Sequence, residues 1–290
     1  MIIKAPRNSG LLLGGKTQGL RFNQTNLYPS AWPFNKANNG SPSSVAFLKL
    51  IGKNAAVTTI SDLWTLSGTL LRTNPTVGFT LAVSSSSTND TAAGTGARIV
   101  EVDGIEAITF AAKTVTLTLA GQTKVTDASG VSFIRINDVR VISVGSGLTN
   151  AGIIYAYDNA VATVTAGVPQ TASVIYGTVA IGDNQTRQAM YMVPAGYQAQ
   201  ISAYGIGIED GTATARPTTG QLNYGVPVTG GNITEVDFLP GSAGVSLNMR
   251  DFAEFPLVID EKQDITIRAT SAVGAAVVVG WADMVLFPKV

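Results

Sequence analysis

Apolar and polar residues alternate with a period of two along most of this chain, and that alternation predicts strands. Thr114-Val115-Thr116-Leu117-Thr118-Leu119 is the cleanest case, ending at Ala120-Gly121. Before it come an apolar run at Val45–Ile51, a mixed stretch at Thr58–Leu66 around Asp62 and Trp64, and Thr80–Val83. After it come Phe133–Ile136 and Val139–Val144, parted by the turn signal Asn137-Asp138, then Ile153–Tyr157 and Val161–Thr165. The stretch Ala166–Gln170 (AGVPQ) breaks the pattern. Strand-like stretches resume at Val174–Ile181, Gln188–Val193, Tyr197–Ile208, Glu235–Leu239, Leu257–Ile259, Asp264–Ala269 and Val273–Phe287. The apolar run Ala272–Ala282 is Val-rich and reads as a buried strand, being too short to span a bilayer. No stretch keeps a helical period for more than about two turns.

Short strands with turn signals roughly every ten residues predict antiparallel sandwiches. The fold class is therefore all-β, with two antiparallel, jelly-roll-like sandwiches at 41–166 and 167–290. Residues 1–40 read differently. Pro6, Pro29, Pro33, four glycines and Asn39-Gly40 leave no strand or helix period intact, which predicts an extended N-terminal arm.

The segment Ser84–Gly104 (SSSSTNDTAAGTGARIVEVDG) joins two regimes. Ser84–Gly96 is small and polar with little to bury. Arg98–Asp103 then alternates as a strand and meets Asp103-Gly104, a hairpin turn signal. This reads as a projecting polar loop feeding a hairpin, suited to contact with a neighbour. Ser84, Asn89, Asp90, Thr95 and Arg98 are the candidate contact residues.

Composition narrows the chemistry. The 290 residues are 45% apolar, enough for real cores, and only 13% charged, against an average nearer 25%. Such a surface favours an oligomer or a large assembly. The chain has no histidine and no cysteine. Zinc and iron–sulfur sites lose their usual ligands, and Ser-His-Asp or Cys-His schemes cannot be built. The first ten residues, MIIKAPRNSG, lack the apolar core of a signal peptide.

A net charge of zero conceals an asymmetry. Residues 1–61 hold Lys4, Arg7, Lys16, Arg21, Lys36, Lys49 and Lys53 and no acid, while the other 229 residues hold 12 basic and 19 acidic groups. A basic, turn-rich segment on an acidic body reads as a docking arm for an acidic protein neighbour, with Lys4, Arg7, Lys16 and Arg21 as its contacts. The plain alternative is that these are ordinary solvated side chains; nucleic acid is a weaker candidate partner.

Several motifs are weaker than they look. Gly10–Thr17 (GLLLGGKT) satisfies the phosphate-loop pattern, but no buried strand precedes it and no helix pattern follows to place amides on a phosphate. The acids Glu101, Asp103 and Glu106, Glu209-Asp210, and Asp260, Glu261 and Asp264 are the candidates for a glycosidase pair or a calcium loop. Each sits beside Gly or Lys in an apparent turn, where acids are usually solvated. Tyr155, Tyr157, Tyr191, Tyr197, Trp64 and Trp281 can form a glycan shelf if exposed, but they lie within apolar alternation and read as core. No catalytic, cofactor or metal residue is expected.

The quoted segments also carry a family likeness. SSSSTNDTAAGTGARIVEVDGI, then KTVTLTLAGQTKVT, then FIRINDVRVISVGSGLTNAGIIYA resembles a module of structural proteins of tailed bacteriophages, notably marine podovirus-like ones. ISDLWTLSG, QTRQAMYMVPAGYQAQISAY and EKQDITIRATSAVGAAVVVGWADMVLF are similar to its other stretches, so the likeness covers roughly 58–208 and 257–287. The chain departs from that pattern at the shorter hairpin DGIEAITFAAK and along the whole arm. The resemblance implies a non-enzymatic virion protein: a capsid decoration (cement) or head-projection protein, homotrimeric, with the major capsid protein or neck and tail proteins as partners. A tail, neck or fibre-base protein and a host-surface glycan-binding module are the alternatives. Neither nucleic acid nor membrane is an expected partner.

Overall fold

The computed structural model describes residues 46–66, 74–160, 163–209, 217–225, 234–241, 246–252 and 256–289. The arm at 1–40, with Lys4, Arg7, Lys16, Arg21 and the Gly10–Thr17 motif, lies outside them. The described residues are strands and turns with no α-helix, so the fold is all-β, built from antiparallel sheets.

The strands run in order β1 (Ala46–Val57), β2 (Ser61–Asp62), β3 (Phe79–Ser85), β4 (Ala97–Glu106), β5 (Ala112–Thr118), β6 (Val125–Thr126), β7 (Ser132–Val144), β8 (Ile154–Asp158), β9 (Val164–Thr165), β10 (Val168–Pro169) and β11 (Ile175–Val179). They continue with β12 (Met190–Met192), β13 (Tyr197–Ile208), β14 (Thr218–Gly225), β15 (Thr234–Gly241), β16 (Ser246–Asp251), β17 (Leu257–Ile259), β18 (Asp264–Ser271) and β19 (Ala276–Pro288).

One sandwich is a seven-stranded sheet in the order β11-β8-β3-β7-β4-β5, with β6 also on β3. Strand β3 is the corner. It pairs with β8 over Leu81–Ser85 but meets β7 only at Phe79 and Thr80. The two halves fold onto each other around Leu81, Val100, Val102, Phe133, Ile136, Val139 and Tyr176, with the Phe79 and Tyr176 rings 4.5 Å apart.

The other sandwich packs the sheet β1-β19-β13-β16 (with β17 on β13) against β12-β18-β14-β15 (with β2 on β18). Strand β19 alternates from Ala276 to Leu286: Val278, Ala282 and Met284 point into the core, and Val279, Trp281, Asp283 and Val285 point out. The inward residues meet Tyr204, Ile206, Leu222, Ile265 and Ile267 in one cluster. Each Val, Leu, Ile or Met side chain fully buried there contributes roughly 1.5–3 kcal/mol. Gly52 and Gly280 stand opposite each other in this sheet. A Cβ on Gly52 would fall 2.1 Å from the Leu63 carbonyl, and one on Gly280 would fall 2.4 Å from Leu63 Cδ1. The glycine pair is the slot that admits Leu63 to the core.

Sheet membership divides the chain differently from the expected 41–166 and 167–290. Strand β1 pairs along its length with β19, Ala46 opposite Leu286, and β2 pairs with β18. Strands β10 and β11, expected in the second sandwich, belong on the other side: β11 pairs with β8 and β10 with β9. The first sandwich (β3–β11) is thus inserted between β2 and β12 of the second. Alternation shows which face a strand buries, and it is silent on which partner the strand takes.

Two expected turns are also absent. Asp103-Gly104 and Asn137-Asp138 face each other inside a continuous β4–β7 ladder, Asp103 opposite Asp138 and Gly104 opposite Ile136, with Asn137 left over as the extra residue of a bulge. Turn-forming residues are also the residues that bulges use. Gly104 is required there, since a Cβ would lie 2.5 Å from the Arg135 carbonyl. The hairpin instead turns at 107–111, where Phe110 has φ 57.

Candidate functional site

The loop Ser84–Gly96 does not project. Asp90, near its middle, is 0% exposed. Its carboxylate accepts hydrogen bonds from Ser85 Oγ (2.5 Å) and from the backbone N–H groups of Ala97 (2.7 Å), Ala151 (2.8 Å) and Gly152 (2.8 Å). Ser84 is also buried and donates to the Gly167 carbonyl at 2.8 Å. Asn150 continues the node, its Nδ2 donating to the Gly152 and Ala180 carbonyls, both at 2.7 Å. The polar residues satisfy one another and tie three loops together at one end of the inserted sandwich. Of the five expected contact residues, Ser84 and Asp90 are therefore structural. Asn89 and Thr95 are exposed, and Arg98 is half-buried with Nε on the Gly94 carbonyl. A polar composition says that a segment cannot fill an apolar core; it does not say whether water or protein meets its polar groups.

The candidate carboxylates are mostly engaged. Arg140 bridges Glu101, Asp103 (2.6 Å) and Asp138 (3.2 Å). Asp138 also accepts from Thr186 Oγ1 (2.6 Å) and Gln185 Nε2 (3.0 Å). Burial alone would lower the Arg140 pKa, but Asp103 and Glu101 outweigh it and hold the guanidinium above its ordinary value. Glu106 accepts from Thr109 Oγ1, Glu209 pairs with Lys53, and Asp260 and Glu261 pair with Lys289. Asp210 lies outside the described residues. Among the described residues no group of three or more acids is arranged to hold a metal ion.

Asp264 marks the junction between the sandwiches. Arg135 of β7, 1% exposed, places Nε 2.9 and 3.2 Å from the two carboxylate oxygens of Asp264 in β18, itself 5% exposed. Arg135 Nη1 donates to the carbonyls of Pro75 and Ile134. The bulge adds to the link. Asn137 exchanges two hydrogen bonds with the backbone of Met192, and Gln188 Nε2 donates to the carbonyls of Ile136 and Asn137. Two apolar clusters flank these bonds: Trp64, Ala82, Tyr155, Tyr157, Ile175 and Met190 in one, Ile105, Ile134 and Met192 in the other. Nothing in the order of residues pointed to this junction; Phe133–Ile136 read only as a strand.

Beside the junction is a cleft of about 660 Å³ between β1, the β4–β5–β7 face and residues 183–188. Asp103, Asp138 and Arg140 form its floor, with Lys113, Arg187 and Tyr191 around it. Burial, then the nearby Asp103 and Tyr197, push the Tyr191 phenol well above its usual pKa. Leu48, Ile51 and Leu286 supply apolar walls, and Asp103 and Asp138 pair with Arg140 while Asp183 pairs with Arg187.

The outward face of β1, β19, β13, β16 and β17 carries several exposed apolar side chains. One row across it reads Ile51, Trp281, Gly205, Met249, and another reads Phe47, Val285, Gln200, Val258. Phe47 is 56% exposed, Ile51 42%, Met249 57% and Val258 49%. The aromatics singled out from sequence divide: Trp64, Tyr155 and Tyr157 are buried, whereas Tyr191, Tyr197 and Trp281 are half-buried. The period-two register of the Ala272–Ala282 run was the available signal that Val279 and Trp281 point outward.

No protein-family profile matches the chain, and no curated protein matches it. Among solved structures it is similar to the infectious bursal disease virus Gx strain structure, with a TM-score of 0.20 and 11% identity over 85% of this chain and 70% of that one. It is also similar to a VP2 subviral particle of infectious bursal disease virus, with a TM-score of 0.17 and 10% identity over 91% of this chain and 80% of the other. TM-scores this low fall short of a shared fold.

Proposed function

We propose that the chain is a non-enzymatic structural protein of a bacteriophage particle, a capsid decoration or head-projection component whose basic N-terminal residues Lys4, Arg7, Lys16 and Arg21 dock it on the shell. The observation that carries this reading is the outward face around Ile51, Trp281 and Met249: large apolar side chains held in a rigid sheet, on a chain with few charges. Contiguous exposed apolar surface of this kind marks contact with another macromolecule. The likeness of TAAGTGAR, KTVTLTLAG and the closing strands to phage structural modules supports a phage particle as the partner in that contact.

The acids support the same side of the question. General acid–base hydrolysis needs one carboxyl kept protonated beside another that is ionised. The cleft instead fixes Asp103 and Asp138 on one guanidinium. The test is to replace Lys4, Arg7, Lys16 and Arg21 together by Gln in the full chain and measure its incorporation into particles by quantitative mass spectrometry. Loss of incorporation with unchanged thermal unfolding is the expected result. Normal incorporation sinks the docking role. The ratio to shell protein separates decoration, which scales with the lattice, from a neck or tail position, which does not.

A further inference from the structure

The outward face is asymmetric in two respects, and both have the same direction. On its two central strands the bulk lies on one side: β19 presents Val279, Trp281 and Val285, while β13 presents Ala203, Gly205 and Gly207; the edges are apolar on both sides, with Phe47 and Ile51 on β1 and Met249 and Val258 on β16 and β17. Its charge is divided likewise. Lys49 lies on β1 at one edge, and Asp251 lies on β16 at the other, in the same row as Lys49, Asp283 and Ala203, while Lys53 is paired with Glu209. Lys49 pairs with Asp283 at 2.9 Å and also lies 5.0 Å over the Trp281 ring, which fixes the indole on the lysine side of the face.

The geometry points to a second copy of this chain as the occupant, packed face to face through a twofold axis that lies in the plane of the face, parallel to the strands and midway between β19 and β13. That operation keeps each row in place and exchanges the two halves. Trp281 then stands over Gly205 of the second copy, Val279 over its Gly207, Ile51 over its Met249 and Lys49 over its Asp251. On the central strands bulk meets glycine at Trp281 and Val279, and at the edges apolar Ile51 meets Met249 and Lys49 meets Asp251, a self-complementary pattern of the kind an isologous contact requires. The other in-plane twofold, perpendicular to the strands, sets β1 on β1 and lysine edge on lysine edge. Sheets packed with near-aligned strands about 10 Å apart are the ordinary arrangement of a sandwich. An isologous contact joins copies in pairs, so it can coexist with a threefold contact made elsewhere on the molecule.

Magnitude sets the affinity. Four strands about 4.8 Å apart, over seven residues of about 3.3 Å each, cover roughly 400 Å² per copy. A standard interface buries about 800 Å² per partner. The pair is therefore weak in free solution, in the micromolar range or above, and is reinforced where many copies are held side by side.

Sedimentation equilibrium of the full chain, up to about 100 μM, tests it. The expected result is a concentration-dependent dimer. Met249→Glu, at an exposed position, weakens it at least tenfold with unchanged circular dichroism. Lys49→Glu and Asp251→Lys each weaken self-association in the same way, and mixing the two variants restores a heterodimer that neither forms alone. A wild-type chain that stays monomeric throughout overturns the proposal. So does a dimer that Met249→Glu leaves intact, or a mixture that fails to recover association. Presence in particles is a separate readout, so a failed dimer and a failed virion role are distinguishable.

Discussion

Replacing Arg135 by Met should destabilise the protein by about 3–5 kcal/mol, the usual cost of removing one partner of a buried ion pair. The site explains why the upper part of the range applies. Arg135 is 1% exposed and Asp264 5%, so neither charge has water to fall back on. The guanidinium meets both carboxylate oxygens through Nε and two carbonyls through Nη1. Met fills a similar volume, so the loss is electrostatic and is not a cavity. It leaves the Asp264 carboxylate desolvated without its cation. The double variant Arg135→Met, Asp264→Leu removes both charges and should recover most of the stability, because well-packed apolar replacements of such pairs are often neutral or better. Urea unfolding followed by tryptophan fluorescence gives both values, and the double-mutant cycle gives the coupling. The Arg135–Asp264 bond joins β7 of one sandwich to β18 of the other, so the single variant should also separate one transition into two. A single variant within about 1 kcal/mol of wild type, or a double variant no better than the single, would refute the argument.

Asp90→Asn should cost about 2–3 kcal/mol, since it trades a charged acceptor of four hydrogen bonds for a neutral group whose NH₂ must face other donors; amide exchange at Ala97, Ala151 and Gly152 should accelerate, and unchanged protection there contradicts the loop account. Gly52→Ala should lower stability by about 1–3 kcal/mol or more, because its Cβ meets the Leu63 backbone and no flexible side chain can give way; a neutral melting temperature disproves the close approach. Tyr191 keeps its proton at alkaline pH because burial and neighbouring charge disfavour the phenolate. Its contribution to stability is complete below the ordinary tyrosine pKa of about 10 and is lost only as pH rises through its own higher value. Tyr191→Phe should therefore remove no step from the 295 nm titration below about pH 11.

How far the sequence carried this picture depended on the kind of information each element needed. Thr114–Leu119 and Val273–Phe287 were legible because each buries one face, and a period of two records one buried face directly. Phe133–Ile136 was legible as a strand but not as a junction. All four residues are buried, Phe133 and Ile136 in the inserted sandwich's core and Ile134 and Arg135 against the other sandwich. A strand covered on both sides has no free parity to read. Asp103-Gly104 and Asn137-Asp138 were legible as departures from regular pairing and misread in kind, since a turn and a bulge ask for the same residues. Asp90 looked like a loop-tip acid because its partners at Ala97, Ala151 and Gly152 are backbone amides, which leave no trace in residue identity. The pairing of β1 with β19 joins the two ends of the described chain, and only the fold brings them together.

The central claim is that this protein works by being built into a particle. Quantitative mass spectrometry of purified, gradient-banded particles of the phage proposed as its source is the most direct measurement. The account predicts the chain in every intact particle, in multiple copies at a fixed ratio to the shell protein, and resistant to high-salt washing. Its absence from intact particles, or a trace amount that varies between preparations and washes away, would contradict it.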